Sequence, residues 1–202
     1  MVLLGYKKCQ PINDYNIRLI GIFEILEYSK ISPKISNEFI KFRVNKCKLI
    51  GVEDLQGNPI EMKELETVNF LNTDPHIIFK LNEIVEVDLF DENEKYIGNG
   101  ILMFLNKLRA QNYLVDYLKD GLITKWRDNG ILYSEESFSN YNKNGVCKYY
   151  HENGNIKEFS EYNKGYLINI QIIYDISGNI IKKNDFTIKK ILYTNMYNSR
   201  TT

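Results

Sequence analysis

The chain is poor in the residues on which disulfide-rich domains, zinc modules and histidine-dependent enzymes rely. Its 202 residues include three cysteines, two histidines, four prolines and one tryptophan. The cysteines are odd in number and form no C-x-x-C pair, which argues against a disulfide framework and against a zinc cluster. We therefore expect a protein of a reducing compartment.

Long hydrophobic runs and an excess of one charge are also missing. No apolar stretch approaches the roughly 18 to 20 residues that a membrane span requires. Tyr6, Lys7 and Lys8 interrupt the apolar start Met1–Leu4 before a signal peptide can form. Basic and acidic residues number 26 each, which argues against nucleic acid as a partner, because phosphate binding needs a cationic surface. These absences predict a soluble, cytoplasmic protein.

Residues 1–118 carry strand signals without any period. Ile17–Ile25 is rich in β-branched residues and predicts a strand, with a short helix capped by Asp14 as the alternative. Phe39–Val52 predicts a further strand region, and the Gln56–Pro59 turn ends it. Such a chain, 44% hydrophobic, has enough apolar residues to fill a core.

The remaining signals of this region mix strand and helix. Ile77–Leu81 and Ile84–Phe90 predict a hairpin-like pair, and Ile101–Phe104 predicts a short strand. Asn106 is a candidate cap for a helix over Lys107–Tyr117. We therefore predict a fold that is α+β and mainly β, with a small α+β domain over residues 1–118.

A repeat occupies most of the remaining chain. Its interval equals the spacing between Gly130 and Gly154. Glycines in turns and aromatic residues in the flanking segments recur at this interval: Gly130, Gly154 and Gly178; Trp126, Tyr150 and Tyr174; Phe138, Tyr162 and Phe186. In register, the three units are Gly121–Asn144, Gly145–Ile168 and Asn169–Leu192. Each unit has the pattern of a strand, a tight turn with Asn-Gly or Ser-Gly, and a strand, which predicts one β-hairpin per repeat.

Alternation along the first strand of each unit predicts which side of the hairpin is buried. One side of this strand carries three residues in each unit: Leu122, Thr124 and Trp126 in the first, Val146, Lys148 and Tyr150 in the second, and Ile170, Ile172 and Tyr174 in the third. We expect this side to face the core, because its residues are the more apolar ones.

A single hairpin is marginally stable in water, so the hairpins are expected to form a stack. The stack is predicted to span residues 119–192. The helix over Lys107–Tyr117 is a candidate cap for its start, and Phe186–Tyr197 is a candidate cap for its end. Residues 193–202 are predicted to be a tail.

The second unit holds the fullest copy of a longer pattern, Gly145-x4-Tyr150-x2-Asn153-Gly154-x-Ile156-x-Glu158-x3-Tyr162-Asn163-x-Gly165. The first unit repeats its beginning as Gly121-x4-Trp126-x2-Asn129-Gly130-x-Leu132. This pattern resembles the variant MORN repeat of bacterial antitoxin-like proteins and of giant viruses of amoebae. The resemblance implies β-hairpin repeats. The first and third units depart from it, with Ser134 and Lys182 in the register of Glu158.

Several short segments stand out in residues 1–118, namely Gly5–Cys9, Lys41–Leu49, Asn82–Glu86, Phe90-Asp91 and Gly100–Leu105. Together they resemble a domain of unknown function that precedes short repeats in giant viruses of the mimivirus type. This resemblance implies no activity and carries over no catalytic or ligand-binding residues. With the repeats, it implies a viral protein that acts in the cytoplasm of a host cell.

No motif for catalysis or for cofactor binding is present. His76 and His151 lack H-E-x-x-H or H-x-H neighbours, so we interpret them as surface histidines. Cys9 and Cys47 are interpreted as buried structural thiols and not as nucleophiles. The acidic cluster over Asp88–Glu94 lacks EF-hand spacing, which favours a solvated turn. We expect no cofactor, no metal site and no enzymatic activity.

Aromatic residues outside the repeat register are the candidates for partner binding. Recurring aromatic residues predict a packing ladder, whereas Tyr133, Tyr141 and Tyr149 break the repeat, so stacking alone does not explain them. The main hypothesis is a non-enzymatic protein that mediates protein–protein interaction. The alternatives are an antitoxin-like protein that covers a toxin, an adaptor at a membrane surface, and an enzyme with a polar pocket beside His76 or Asp88–Glu94.

Overall fold

The computed structural model describes residues 2–12, 14, 16–67, 77–88, 90, 92, 99–113, 115 and 119–187. The chain divides into two compact units. The first comprises Met1–Tyr113 and Asp128–Gly130, and the second comprises Leu114–Arg127 and Ile131–Thr202. The predicted tail over residues 193–202 lies outside the described residues, as does nearly all of the predicted cap at Phe186–Tyr197.

The described part of the first unit consists of short strands and one helix. In chain order these are β1 (Leu3–Gln10), β2 (Leu19–Ile25), β3 (Ile31–Ser32), β4 (Phe42–Val44), β5 (Lys46–Glu53), β6 (Glu64–Thr67), β7 (Ile78–Lys80), β8 (Ile84–Glu86), β9 (Ile101–Met103) and α1 (Lys107–Asn112). One antiparallel sheet has the order β7-β6-β1-β2-β5-β8, and a second has the order β3-β4-β9. The strands predicted at Ile17–Ile25 and Ile101–Phe104 are confirmed as β2 and β9.

The predicted hairpin between Ile77–Leu81 and Ile84–Phe90 is wrong. β7 pairs with β6, β8 pairs with β5, and the two strands lie at opposite ends of the sheet order. Leu81 forms a bridge with Leu49, and Asn82 N donates a 2.8 Å hydrogen bond to Leu49 O. These contacts with Leu49 attach the turn after β7 to β5. The chain therefore continues along β5 and does not fold back on β7.

The helix is shorter than predicted, and the described part of the first unit is β and not α+β. Asn106 caps α1 as expected, since its side chain accepts a hydrogen bond from Arg109 N. The helix ends before Tyr113, whose backbone is extended (φ −63°, ψ 126°) and whose carbonyl oxygen accepts a 2.6 Å hydrogen bond from Lys8 Nζ. The coarser prediction, a mainly β fold, is confirmed. Within the described residues, no helix is long and apolar enough to cross a membrane.

The interior of the first unit is hydrophobic on both sides of β1. On one side, Cys9 belongs to the main cluster with Phe23 and Phe79, whose ring centroids lie 4.8 Å apart in an edge-to-face arrangement. On the other side, Tyr6 packs against a smaller cluster that includes Ala110 of α1. The central strand of this unit is therefore covered by apolar side chains on both faces.

The described part of the second unit is one antiparallel sheet whose strands follow the order of the sequence. They are β10 (Asp120–Trp126), β11 (Leu132–Ser139), β12 (Asn142–Tyr150), β13 (Ile156–Asn163), β14 (Tyr166–Tyr174) and β15 (Ile180–Asp185). Each of the three predicted glycine turns joins two neighbouring strands of this sheet.

The repeat interval is reproduced in the backbone. The turn glycines Gly130, Gly154 and Gly178 have φ angles of 86°, 87° and 91°. In each turn, the residue three before the glycine donates its N–H to the carbonyl of the residue after the glycine, at 2.8 Å. Glycine suits these positions because a side chain disfavours positive φ.

The first residue of each unit also has a positive φ angle, including the unit that departs from the pattern. Gly121, Gly145 and Asn169 have φ angles of 125°, 97° and 55°. Asparagine is among the few other residues that adopt positive φ at low cost. The third unit therefore keeps the local geometry of the first two without their glycine.

The buried side of the second unit is the opposite of the predicted one. Leu122 is 52% exposed and Val146 is 38% exposed, whereas their neighbours Ile123 and Cys147 are fully buried. The buried residues between positions 119 and 187 all lie on the side of Ile123, and they are Ile123, Ser134, Glu136, Phe138, Cys147 and Ser160. The prediction failed because half of this set is polar, and cross-strand partners satisfy those polar groups.

Candidate functional site

One side of the second sheet, here called the aromatic face, carries apolar side chains that the described residues bury only in part. It is defined by seven residues, Trp126, Val146, Tyr150, Phe159, Ile170, Ile172 and Tyr174. Strand pairing places them on one side, since Phe159 pairs with Lys148 on β12 and with Ile172 on β14. Each of the seven is half-buried or exposed. Apolar side chains that lie together on one side of a sheet and stay partly exposed are a candidate surface for another molecule to cover.

Polar groups on the aromatic face are few and of both signs. Tyr150 Oη donates a 2.6 Å hydrogen bond to Glu135 Oε2, and Lys148 Nζ lies 3.9 Å from the same oxygen. Burial raises the pKa of Tyr150 to about 12, and the Glu135 carboxylate adds to the effect. The Tyr150 ring is thereby held in place, so the face presents an ordered aromatic surface.

The opposite side, here called the polar face, is defined by Ser134, Glu136, Lys143, Tyr149, Glu158 and Ser160. Its centre is Glu136, which is only 5% exposed. The carboxylate accepts hydrogen bonds from Ser134 Oγ (2.9 Å) and Tyr149 Oη (3.1 Å), and Lys143 Nζ lies 2.9 Å from its Oε2. A buried carboxylate needs such partners, because an unpaired buried charge is strongly destabilising.

The electrostatics of this cluster are those of a structural ion pair. Burial by itself raises the pKa of Glu136, but the hydrogen bond and charge of Lys143, helped by Ser134, lower it below the usual value. Burial likewise lowers the pKa of Lys143, but Glu136 and Tyr149 outweigh it and raise that pKa. Burial raises the pKa of Tyr149 to about 12. All three groups keep their ordinary charge state at neutral pH, far from the poised pKa of a general acid or base.

A second group of hydrogen bonds continues the polar face across the next strands. Glu158 Oε1 accepts hydrogen bonds from Ser160 Oγ and from Gln171 Nε2 (2.8 Å). Asn184 Nδ2 donates to Gln171 Oε1 at 2.8 Å. The polar face therefore carries cross-strand hydrogen bonds from β11 to β15.

Side chains at one repeat position link each hairpin to the next. Arg127 Nη2 donates a 2.8 Å hydrogen bond to Tyr150 O, and His151 Nε2 lies 3.0 Å from Tyr174 O. Arg127 and His151 are one repeat interval apart, as are their acceptors. The interpretation of His151 as a plain surface histidine misses this role. Arg127 and His151 differ in residue type, and their acceptors are backbone carbonyl groups, so the sequence does not show that the two positions are equivalent.

The three predicted partner-binding tyrosines do not form one cluster, because Tyr141 lies apart from Tyr133 and Tyr149. Tyr133 and Tyr149 are neighbours, with ring centroids 6.2 Å apart, and the Arg127 guanidinium lies 5.0 Å from the Tyr133 ring centroid. Tyr133 is 42% exposed, whereas Tyr149 is half-buried in the Glu136 cluster of the polar face. The structure thus gives Tyr149 a structural contact that its departure from the repeat did not indicate.

Tyr141 lies at the other end of the strands, in the turn between β11 and β12. It is 59% exposed, and both turn residues, Asn140 and Tyr141, have positive φ (49° and 62°). The equivalent turn of the next repeat is Lys164-Gly165, where glycine occupies the position of Tyr141. A tyrosine therefore stands where the local geometry favours glycine.

The remaining sequence candidates show no assembled chemistry. Cys9 and Cys47 are confirmed as buried free thiols, and burial raises the pKa of each to about 12. His76 and two acidic residues of the Asp88–Glu94 cluster, Asp91 and Glu94, lie outside the described residues, while Glu92 pairs with Lys30 at 2.9 Å. Within the described ranges, no group of histidine, cysteine and acidic residues is arranged to hold a metal ion.

The first unit has a small polar depression beside the predicted acidic cluster. Its volume is about 300 Å³, and it is lined by Lys30, Asn45, Glu86, Val87, Asp88 and Phe90. Lys30 and Glu86 are already engaged in ion pairs with Glu92 and Lys46, at 2.9 Å and 2.7 Å. The lining residues include no histidine, cysteine or serine, and their one carboxylate besides the paired Glu86 is Asp88, so the depression gives no reaction to assign.

Comparisons with known proteins give no relative from which a role can be transferred. No family model, no curated protein and no solved structure matches the chain. The aromatic face is therefore the feature on which an argument about function rests.

Proposed function

We propose that this chain is a non-enzymatic repeat protein that mediates protein–protein interaction through the aromatic face. The observation that supports the proposal is that many apolar residues of the second unit lie on a side that the described residues bury only in part, while half of its buried residues are polar. Partly exposed aromatic and β-branched residues that lie together on one side of a sheet form a surface that a partner can bury. A partner that covers them removes their remaining exposed area from water.

The chemistry of the face defines the partner that it fits. Val146, Phe159, Ile170 and Ile172 offer aliphatic and aromatic contact area, and ordered tyrosines such as Tyr150 add rings with polar ends. Aromatic residues of this kind dominate protein interfaces. The few charges are of both signs, so the face lacks the cationic character that anionic lipid surfaces attract. This favours a protein with an apolar patch over a membrane.

The repeats and the segments of the first unit support a wider proposal about origin. The hairpin interval resembles that of MORN-like repeats, and we propose that the chain is a viral protein of that type acting in the host cytoplasm. Tyr133 and Tyr141, which are exposed and break the repeat, are proposed as additional contacts at the margins of the interaction. An antitoxin-like role is a special case of the same mechanism, in which the covered protein is a toxin.

The test removes apolar area from the aromatic face without disturbing the sheet. In Phe159→Thr/Ile172→Thr, both new residues keep a high strand propensity. The matched control is Ile78→Thr/Ile84→Thr, which makes the same kind of change at two strand positions of the first unit that are 43% and 56% exposed. Proteins bound by the wild-type chain are captured from host cells and quantified by mass spectrometry, and one captured protein is then purified for titration.

We expect the face variant to lose affinity for the purified partner by at least about 30-fold, because a pair of hot-spot side chains contributes roughly 2 kcal/mol or more. The control is expected to bind within about twofold of wild type. Binding of an apolar dye by the native chain should fall in the face variant as well. Equal binding by both variants, with their folds intact by circular dichroism, would refute the aromatic face as the interaction site.

A further inference from the structure

Among the strands that the structure describes, β15 is an edge strand of the second sheet. It stands at one end of the strand order, and among the described residues no strand pairs with its outer edge. Ile181 is 66% exposed, and Lys182, Lys183 and Asp185 are also exposed. The N–H and C=O groups along such an edge are a template for a further strand.

The hydrogen-bond pattern identifies the residues that face outward. Phe186 N donates a 2.6 Å hydrogen bond to Asn169 O, so the backbone of position 186 faces β14. Backbone groups alternate along an antiparallel strand, and Asn184 therefore also faces β14, while Lys183 and Asp185 face away from it. The backbone groups of Lys183 and Asp185 are thus the ones that a further strand would meet.

The charges of these two outward-facing residues are self-complementary. In an antiparallel pair of identical strands, one register places Lys183 opposite Lys183 of the second copy, which is unfavourable. The register with Asn184 on the two-fold axis instead places each Lys183 opposite Asp185 of the other copy. The same register lets both residues exchange N–H and C=O hydrogen bonds with the other copy. A lysine on an edge strand normally discourages pairing with another strand. In this register each Lys183 instead lies opposite an acidic residue, Asp185 of the other copy.

We propose that two copies of this chain pair antiparallel through the outer edges of β15, with Asn184 at the two-fold axis. The two sheets become one continuous sheet, and both aromatic faces then lie on the same side of it. Exposed ion pairs add little affinity, so the Lys183–Asp185 pairs act mainly by selecting the register. This inference goes beyond the proposed function and does not require that the aromatic face bind a partner.

The test measures the mass of the full chain by analytical ultracentrifugation over a range of concentrations. We expect the mass to rise from the 23.8 kDa of one chain to twice that value. Lys183→Asp and Asp185→Lys each place like charges opposite each other, and each is expected to raise the dissociation constant at least tenfold. The double variant Lys183→Asp/Asp185→Lys restores opposite charges and is expected to regain the wild-type constant within about threefold.

Lys182→Asp is the matched control, because the backbone of position 182 faces β14 and its side chain lies outside the proposed ion pairs; it is expected to dimerise like wild type. Thermal unfolding of each variant confirms that the sheet is intact. A chain that stays monomeric at all concentrations would overturn the proposal. So would a dimer whose stability ignores the charge reversals, or one that the double variant fails to restore. The separate partner titration with Phe159→Thr/Ile172→Thr keeps failure of this proposal distinct from failure of the proposed function.

Discussion

The two units differ in what they bury. The first unit surrounds β1 with apolar side chains, including Phe23 and Phe79, both fully buried. The second unit buries Ser134, Glu136 and Ser160 beside a few apolar residues, and most of its aliphatic and aromatic side chains remain half-buried or exposed. The interior of the first unit is mainly apolar, although it also holds polar residues such as Arg43 and the hydrogen-bonded pair of Gln10 and Glu66. Half of the buried residues of the second unit are polar, and they make hydrogen bonds and an ion pair between neighbouring strands.

The difference shows how a repeat can be stable without a large hydrophobic core. Each strand of the second sheet is bonded to its neighbours in sequence, and the turn geometry recurs at a fixed interval. The buried polar groups make cross-strand contacts that exist in one register only, so they specify pairing as much as they stabilise it. The apolar residues on the other side of the sheet stay partly exposed, and the proposed interaction is based on them.

The largest expected effect concerns the hydrophobic interior. Phe23→Ala should lower the free energy of unfolding by about 4 kcal/mol, since it removes a fully buried ring and leaves a cavity. Phe159→Ala on the aromatic face should cost about 1 kcal/mol, as is typical of a partly exposed site. Urea denaturation followed by circular dichroism measures both. Equal costs would mean that the aromatic face is a core after all.

A smaller effect is expected in the polar interior. Glu136→Gln should destabilise the second unit by about 2 kcal/mol, because it leaves the Lys143 ammonium without its carboxylate partner. Fluorescence of Trp126, the one tryptophan of the chain, reports on this unit. The control is Glu135→Gln on the aromatic face, whose side chain is 33% exposed and which should change stability by no more than about 0.5 kcal/mol. A cost for Glu136→Gln as small as the control's would show that the ion pair is dispensable.

Acidification should reveal part of the same contribution. The pKa of Glu136 is lower in the folded chain than its ordinary value of 4.5. Its contribution to stability is therefore complete above about pH 4.5 and is lost as the pH falls through the folded pKa. We expect wild type to lose more stability than Glu136→Gln in that window. The lowered pKa values of Asp120, Asp175 and Asp185 act equally in both chains, so the difference between the two unfolding curves isolates Glu136.

The smallest effect should be a gain. Tyr141→Gly replaces a residue at positive φ by the one that its repeat equivalent, Gly165, already has. Relief of that strain should exceed the added freedom of the unfolded chain and raise the free energy of unfolding by about 0.5 kcal/mol. Thermal denaturation measures it. If partner binding weakens while stability rises, Tyr141 is a contact residue; a loss of stability would show that the tyrosine side chain supports the turn.

The hairpin boundaries were accessible to sequence analysis because their determinants are local. Asn-Gly and Ser-Gly pairs predict tight turns wherever they occur, and the repeat interval marks them at Gly130, Gly154 and Gly178. The cap at Asn106 was predictable for the same reason. The end of α1 was not, because Lys8, which is remote in the sequence, bonds the carbonyl of Tyr113.

The polar face also has a signal in the sequence, which the recurring aromatic residues do not reveal. Ser134 and Glu136 correspond to Glu158 and Ser160 one interval later, with serine and glutamate exchanged. A search for polar residues that recur at alternate strand positions would have found this set. Lys143 joins the cluster from β12 only because the register of β11 and β12 shifts between Glu136 and Phe138, which no local pattern encodes.

Turn chemistry therefore settled where the three glycine turns of the second unit lie, since glycine and asparagine tolerate positive φ whatever surrounds them. Which side of those strands is buried was decided by long-range pairing. Alternation of side chains separates two faces but does not say which one is covered when both carry apolar residues. Ile123 and Cys147 are buried, whereas Leu122 and Val146 are exposed. Glu136 and its partners lie on the side of Ile123 and Cys147, and they meet only when neighbouring strands pair.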